Sequence, residues 1–138
     1  MRGTGLSLVR GPGAGASMTA MARTLLIVDD HAGFRAFARA LLEAEGYDVL
    51  GEAEDGESAL AAVAALDPEV VLLDVALPDI DGFAVCARLL ALDRDRPAVV
   101  LTSSRDASSY GQRLAGSGAR GFVPKSDLSG PALDALTA

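Results

Sequence analysis

Four short stretches hold the polar residues best placed to do chemistry: VDDH at 28–31, LLD at 72–74, LTS at 101–103 and VPK at 123–125. Together they supply three carboxylates (Asp29, Asp30, Asp74), two hydroxyls (Thr102, Ser103) and one ammonium (Lys125). Lys125 stands out because it is the only lysine among twelve basic residues. Three carboxylates brought together repel, and at least one pKa rises unless a cation intervenes. A small hard cation suits such a site. Magnesium favours octahedral oxygen coordination by one or two carboxylates, waters and a phosphate oxygen. An aspartate beside that ion can attack phosphorus and form an acyl phosphate. Metal and ammonium would neutralise the charge on the transferring group. Arginine's larger planar fork is no substitute for a compact ammonium.

For these stretches to meet, the intervening chain must bring them to one place. TLLIV (24–28) is an apolar, β-branched run that ends at the acidic pair. Phe34, Phe37, Ala38, Leu41 and Leu42 follow at helical spacing and predict an amphipathic helix, closed by Gly46. YDVLGEA (47–53) reads as a second strand, and ESALAAVAAL (57–66) as a helix stopped by Asp67-Pro68. EVVLLD (69–74) predicts a strand buried on both faces, FAVCARLLAL (83–92) a helix and PAVVLTS (97–103) a fourth strand. SSYGQRLAG predicts a weak helix loosened by Gly111 and Gly116, ARGFV (119–123) a fifth strand, and PALDALTA (131–138) a last helix.

Strands alternating with helices imply right-handed crossovers and a parallel sheet covered on both faces. The expected fold is α/β: a flavodoxin-like, doubly wound sheet of five strands in order 2-1-3-4-5, with five helices. In that order strands one, three, four and five are neighbours, and ligands bind outside their carboxyl ends. All four polar stretches lie at those ends.

Composition narrows the function. A net charge of -7 argues against nucleic-acid or anionic-membrane binding by this domain. No apolar run approaches the roughly 20 residues of a bilayer-spanning helix. The single cysteine, Cys86, has no internal disulfide partner, reads as a packing residue and fits a reducing cytoplasm. Residues 1–22 are Gly-rich and without period, and are expected to form a disordered arm before a domain spanning 23–138.

The pieces LLIVDDH, VVLLDVALPDIDGF, VVLTSS and GARGFVPK, in that order and each at a strand end, resemble the receiver domain of bacterial two-component response regulators. The DDHxxFR opening is most similar to receivers that precede a LuxR-type helix-turn-helix domain. The resemblance implies that Asp74 accepts a phosphoryl group from a phosphohistidine on a sensor histidine kinase or phosphotransfer protein. It implies Mg²⁺ (or Mn²⁺) bound directly by Asp30, Asp74 and the backbone carbonyl of Ala76, with Asp29 acting through a water. Thr102 would close on the phosphoryl group, and Phe122 would occupy the aromatic switch position. The signal would pass through the face of helix four, strand five and helix five, to a downstream protein target or a homodimer.

Two departures stand out. Where the family often has a proline after the lysine, this chain has Ser126; a cis Lys125–Ser126 bond would cost about 2.5–4 kcal/mol. Phe122 also lacks a tyrosine's hydroxyl, so its switching must rest on packing.

Three other readings stand beside this one. The chain is expected to stop at its fifth helix as a stand-alone receiver, or else to be the receiver part of a DNA-binding regulator. GPGAGA (11–16) matches a dinucleotide fingerprint in form, but that motif needs a strand before it and a proper helix after it. An aspartyl phosphatase would carry an acid two residues after its nucleophile, where this chain has Ala76. His31 reads as a polar residue of the first helical turn.

Overall fold

In a computed structural model of the protein, residues 22–138 are described, with the exception of Arg94. The glycine-rich segment and its GPGAGA motif lie outside the described residues. Strands β1 (Thr24–Val28), β2 (Asp48–Ala53), β3 (Val70–Asp74), β4 (Ala98–Ser103) and β5 (Gly121–Pro124) alternate with helices α1 (Ala32–Ala44), α2 (Gly56–Leu66), α3 (Gly82–Leu92), α4 (Gln112–Gly116) and α5 (Gly130–Thr137). All five strands run parallel, in the order β2-β1-β3-β4-β5. This is the flavodoxin-like arrangement expected.

Side chains alternate across the pleat, and the core follows that period. Leu25, Ile27, Val70, Leu72 and Val100 face one side, where they pack with Ala38 and Leu42 of α1 and Leu133 of α5. Leu26, Val28, Val71, Leu73, Val99 and Leu101 face the other, against Ala59 of α2 and Val85, Cys86 and Leu89 of α3. Each fully buried Leu, Ile or Val contributes about 1.5–3 kcal/mol. The sheet is therefore a rigid platform, and its carboxyl edge is fixed by hydrophobic layers on both faces.

Local signals set the helix boundaries. Asp55 and Ser58 form a reciprocal capping box at the start of α2. Asp81 caps α3, and Ser129 caps α5. Asp67 ends α2 in the left-handed region at φ 48°, a conformation that Asp tolerates better than most residues.

Two expectations are corrected, and the open geometry after Lys125 is decided. Phe37 does not join the buried stripe of α1: it is 55% exposed, while Ala38 and Leu42 are fully buried. The weak helix shrinks to a 3-10 turn at Ala107–Ser109 followed by the five-residue α4, broken between them by Gly111 at φ 56°. The Lys125–Ser126 bond is trans. The cis bond among the described residues is Arg96–Pro97, and Lys125–Asp127 forms a 3-10 turn instead.

Candidate functional site

β1, β3 and β4 are paired in register, so their polar ends arrive together. Val28 lies opposite Leu73, which leaves Asp29 just beyond the end of β1 and Asp74 as the last residue of β3. Asp74 pairs with Thr102 on β4, and Thr102 with Val123 on β5. Lys125 follows β5 by one residue. The sheet thus gathers at one edge the carboxylates, hydroxyl and ammonium picked out by sequence.

Asp29 is fully buried and Asp74 is 2% exposed. Lys125 Nζ lies 2.6 Å from Asp29 Oδ2 and 3.3 Å from Asp74 Oδ2. It therefore bridges both carboxylates, with the closer contact to Asp29 rather than to Asp74. Its charge also sits over the Phe34 ring, 4.6 Å from the centroid, a favourable cation–π placement. Sequence reasoning assigned Phe34 only to the helix core. Burial works to lower the Lys125 pKa, but its contacts with Asp29 and Asp74 outweigh this and the net direction is up. Asp74 is pushed up to about 6, first by burial and then by the nearby Asp29. The Ala76 N–H and Lys125 oppose the rise without cancelling it. The Ala76 N–H donates to Asp74 Oδ1 at 3.1 Å.

His31 is the N-cap residue of α1, with no side-chain cap bond. Its Nδ1 lies 3.2 Å from Asp29 Oδ1 and 3.1 Å from Asp30 Oδ1. Asp29, Asp30, His31 and Asp74 each offer one ligand atom, all within 4.8 Å of one another. Asp29 Oδ2 is buried without a properly angled hydrogen bond. Its 2.6 Å contact to Lys125 is an ion contact and leaves lone-pair capacity unused. Hard carboxylate oxygens, one of them so placed, fit a magnesium-type ion.

Asp30 is about one-third exposed at its side chain, the most open of the three acids. Thr102 is fully buried, and its hydroxyl donates to the Val123 carbonyl at 2.6 Å. Phe122 is half-buried beside Tyr110, with ring centroids 6.0 Å apart.

The loop after Asp74 is held from two directions. Gly82 N–H donates to the Val75 carbonyl at 2.8 Å, and a Cβ on Gly82 would fall 2.3 Å from the Asp74 carbonyl oxygen. Glycine is required there, so that α3 can start against the β3 backbone. Asp79 accepts from the N–H groups of Gly56 and Glu57 at the start of α2, and these donors lower its pKa. Sequence reasoning missed this clamp. Its only trace was an acid in a Pro/Gly loop. Cys86 is buried, which raises its thiol pKa, consistent with packing.

A model of the response regulator receiver domain matches residues 25–130. BvgA of Bordetella pertussis is 39% identical over 105 residues, which cover 76% of this chain and 50% of that protein. Response regulator MprA of Mycolicibacterium vanbaalenii is 41% identical over 103 residues, 73% of this chain and 43% of that one. The solved signal receiver domain assigned to NarL of Mycobacterium tuberculosis superposes with a TM-score of 0.74 at 31% identity, covering 86% of this chain and 99% of that one. The chain spans about half the length of the curated relatives it matches. Among the described residues, no helix is long and apolar enough to cross a membrane. With a family model covering most of its length, this chain belongs to the response regulator receiver domains.

Proposed function

We propose that the chain is a phosphorylation-controlled switch of a two-component system, with Asp74 as the phosphoacceptor. One observation carries this reading: a nearly dehydrated carboxylate, Asp74, lies 3.3 Å from the only lysine of the chain. An Asp74 oxygen attacks the phosphorus of a phosphohistidine on a sensor kinase or phosphotransfer protein. The P–N bond breaks, its electron pair stays on the imidazole, and an acyl phosphate remains on Asp74.

Lys125 exchanges its contact with the carboxylate for one with a phosphoryl oxygen. Asp30, Asp74 and the Ala76 carbonyl would hold Mg²⁺ (or Mn²⁺) directly, and Asp29 through a water. When bound, the ion supplies charge neutralisation on the phosphoryl oxygens. Thr102 leaves the Val123 carbonyl and donates to the phosphoryl group. Phe122 follows it inward and alters the face of β4, α4, β5 and α5.

Water later attacks phosphorus and breaks the P–O bond to Asp74, releasing inorganic phosphate and restoring the carboxylate. The protein assists both steps on its own side chain and turns over no separate substrate; it is a switch rather than an enzyme. We place it in the cytoplasm, reading out to a protein target or a second copy. The roughly twofold greater length of the relatives favours a second reading of the output. In that reading the domain is the receiver part of a DNA-binding regulator, with the same chemistry at Asp74.

The test is incorporation of labelled phosphate from acetyl phosphate in Mg²⁺. Wild type takes up label and Asp74→Ala does not. Label persisting on Asp74→Ala would mean the acceptor is misassigned.

A further inference from the structure

Tyr110 has no role in the chemistry described above, yet it touches three parts of the switch. Its hydroxyl lies 2.6 Å from Ser103 Oγ, the residue directly after Thr102. Ser103 Oγ also accepts the Arg105 N–H at 3.0 Å, so that hydroxyl fixes the turn leaving β4. The Tyr110 ring packs between two others, with centroids 5.8 Å from Phe83 and 6.0 Å from Phe122. Phe83 follows Gly82, which is pressed onto the Asp74 backbone. The Arg113 guanidinium covers the Phe83 ring at 4.2 Å and pairs with Asp81 at 3.1 Å, closing the far side of the stack. One side chain therefore joins the start of α3, the end of β4 and the aromatic residue of β5.

We propose that Tyr110 is a positioning residue that latches the resting state, its hydroxyl holding Ser103 and its ring packing Phe122 in its resting place until Thr102 moves. The idea rests on the phosphoacceptor reading above. In that reading Thr102 gives up the Val123 carbonyl to meet the phosphoryl group, and Ser103 is bonded to it through one peptide. Drawing Thr102 inward pulls Ser103 from Tyr110 and frees the ring. The hydroxyl that Phe122 lacks is thus supplied by a neighbour between the two short turns Ala107–Ser109 and Gln112–Gly116. Because the latch forms only in the resting state, removing it raises the fraction of active state. Apparent affinity for an activating ligand rises by the same factor.

The chain has two tyrosines, so 3-fluorotyrosine labelling gives two fluorine resonances. Tyr47, bonded to Asp134 of α5, serves as the internal reference. Titration with beryllofluoride and Mg²⁺ is expected to produce bound-fluoride signals, shift the Tyr110 resonance and leave the Tyr47 resonance in place. Ser103→Ala should move the Tyr110 resonance before any ligand is added. Unlabelled Tyr110→Phe, which keeps the ring stack, should bind beryllofluoride about two- to tenfold more tightly, the range expected for loss of one resting-state hydrogen bond. Bound fluoride with an unmoved Tyr110 resonance would overturn the latch alone, as would unchanged or weaker binding by Tyr110→Phe. No bound fluoride at all would overturn the phosphoacceptor reading together with it.

Discussion

At the scale of single residues, Asp74 is held in a costly state. Burial first, and Asp29 second, push its pKa from 3.8 to about 6, so the folded protein binds a proton more tightly than the unfolded chain. That contribution to stability is fully present below pH 3.8 and is lost as pH rises through about 6. Asp74→Asn in metal-free protein should therefore gain roughly 1–3 kcal/mol at neutral pH and almost nothing near pH 4. Urea denaturation at the two pH values measures this. Magnesium should narrow the gap by stabilising the wild type alone. Lys125 has a different constraint, being shared between Asp29 and Asp74 and backed by Phe34. Lys125→Arg should leave the thermal midpoint within a few degrees of wild type. It should slow phosphorylation from acetyl phosphate by at least about tenfold, because a fork cannot reproduce a point charge.

At the scale of elements, the site depends on how closely α3 and β3 approach. Gly82→Ala places a methyl 2.3 Å from the Asp74 carbonyl oxygen. It should cost about 1–3 kcal/mol by overpacking, read as a lower urea midpoint, and should weaken magnesium binding. Farther away, Tyr47 ties the start of β2 to Asp134 of α5. Burial, then Asp134, raise its pKa from 10.0 to about 12. The protonated phenol is thus favoured in the folded state, and this stability is lost as pH climbs from about 10 to 12. Tyr47→Phe should flatten that alkaline limb of the pH–stability curve. The strands and the order of their polar ends were legible in sequence because a parallel, doubly covered sheet writes apolar runs such as VVLLD and AVVLTS. Less was visible in α1, where spacing placed Phe37 with Ala38 and Leu42 although it faces solvent. A helix face is wider than its buried stripe, and periodicity does not say where the stripe ends.

At the scale of the whole molecule, function follows from bringing together groups that are far apart in the chain. Asp29, Asp74 and Lys125 were identifiable because each lies at the carboxyl end of a strand in a topology that dictates which strands are neighbours. Tyr110 against Ser103 and Asp79 against α2 were not, because their partners depend on loop paths that no local pattern encodes. The net charge of -7 also bears on output. Any response passed to DNA should come from a partner or a linked domain, and the chain from Arg23 onward should show no duplex binding in an electrophoretic shift assay at physiological salt. The most direct measurement is to phosphorylate the protein in Mg²⁺, reduce the acyl phosphate with borohydride and sequence the peptides by tandem mass spectrometry. The account predicts homoserine at position 74 and nowhere else. Homoserine at position 29 or 30, with position 74 unmodified, would contradict it.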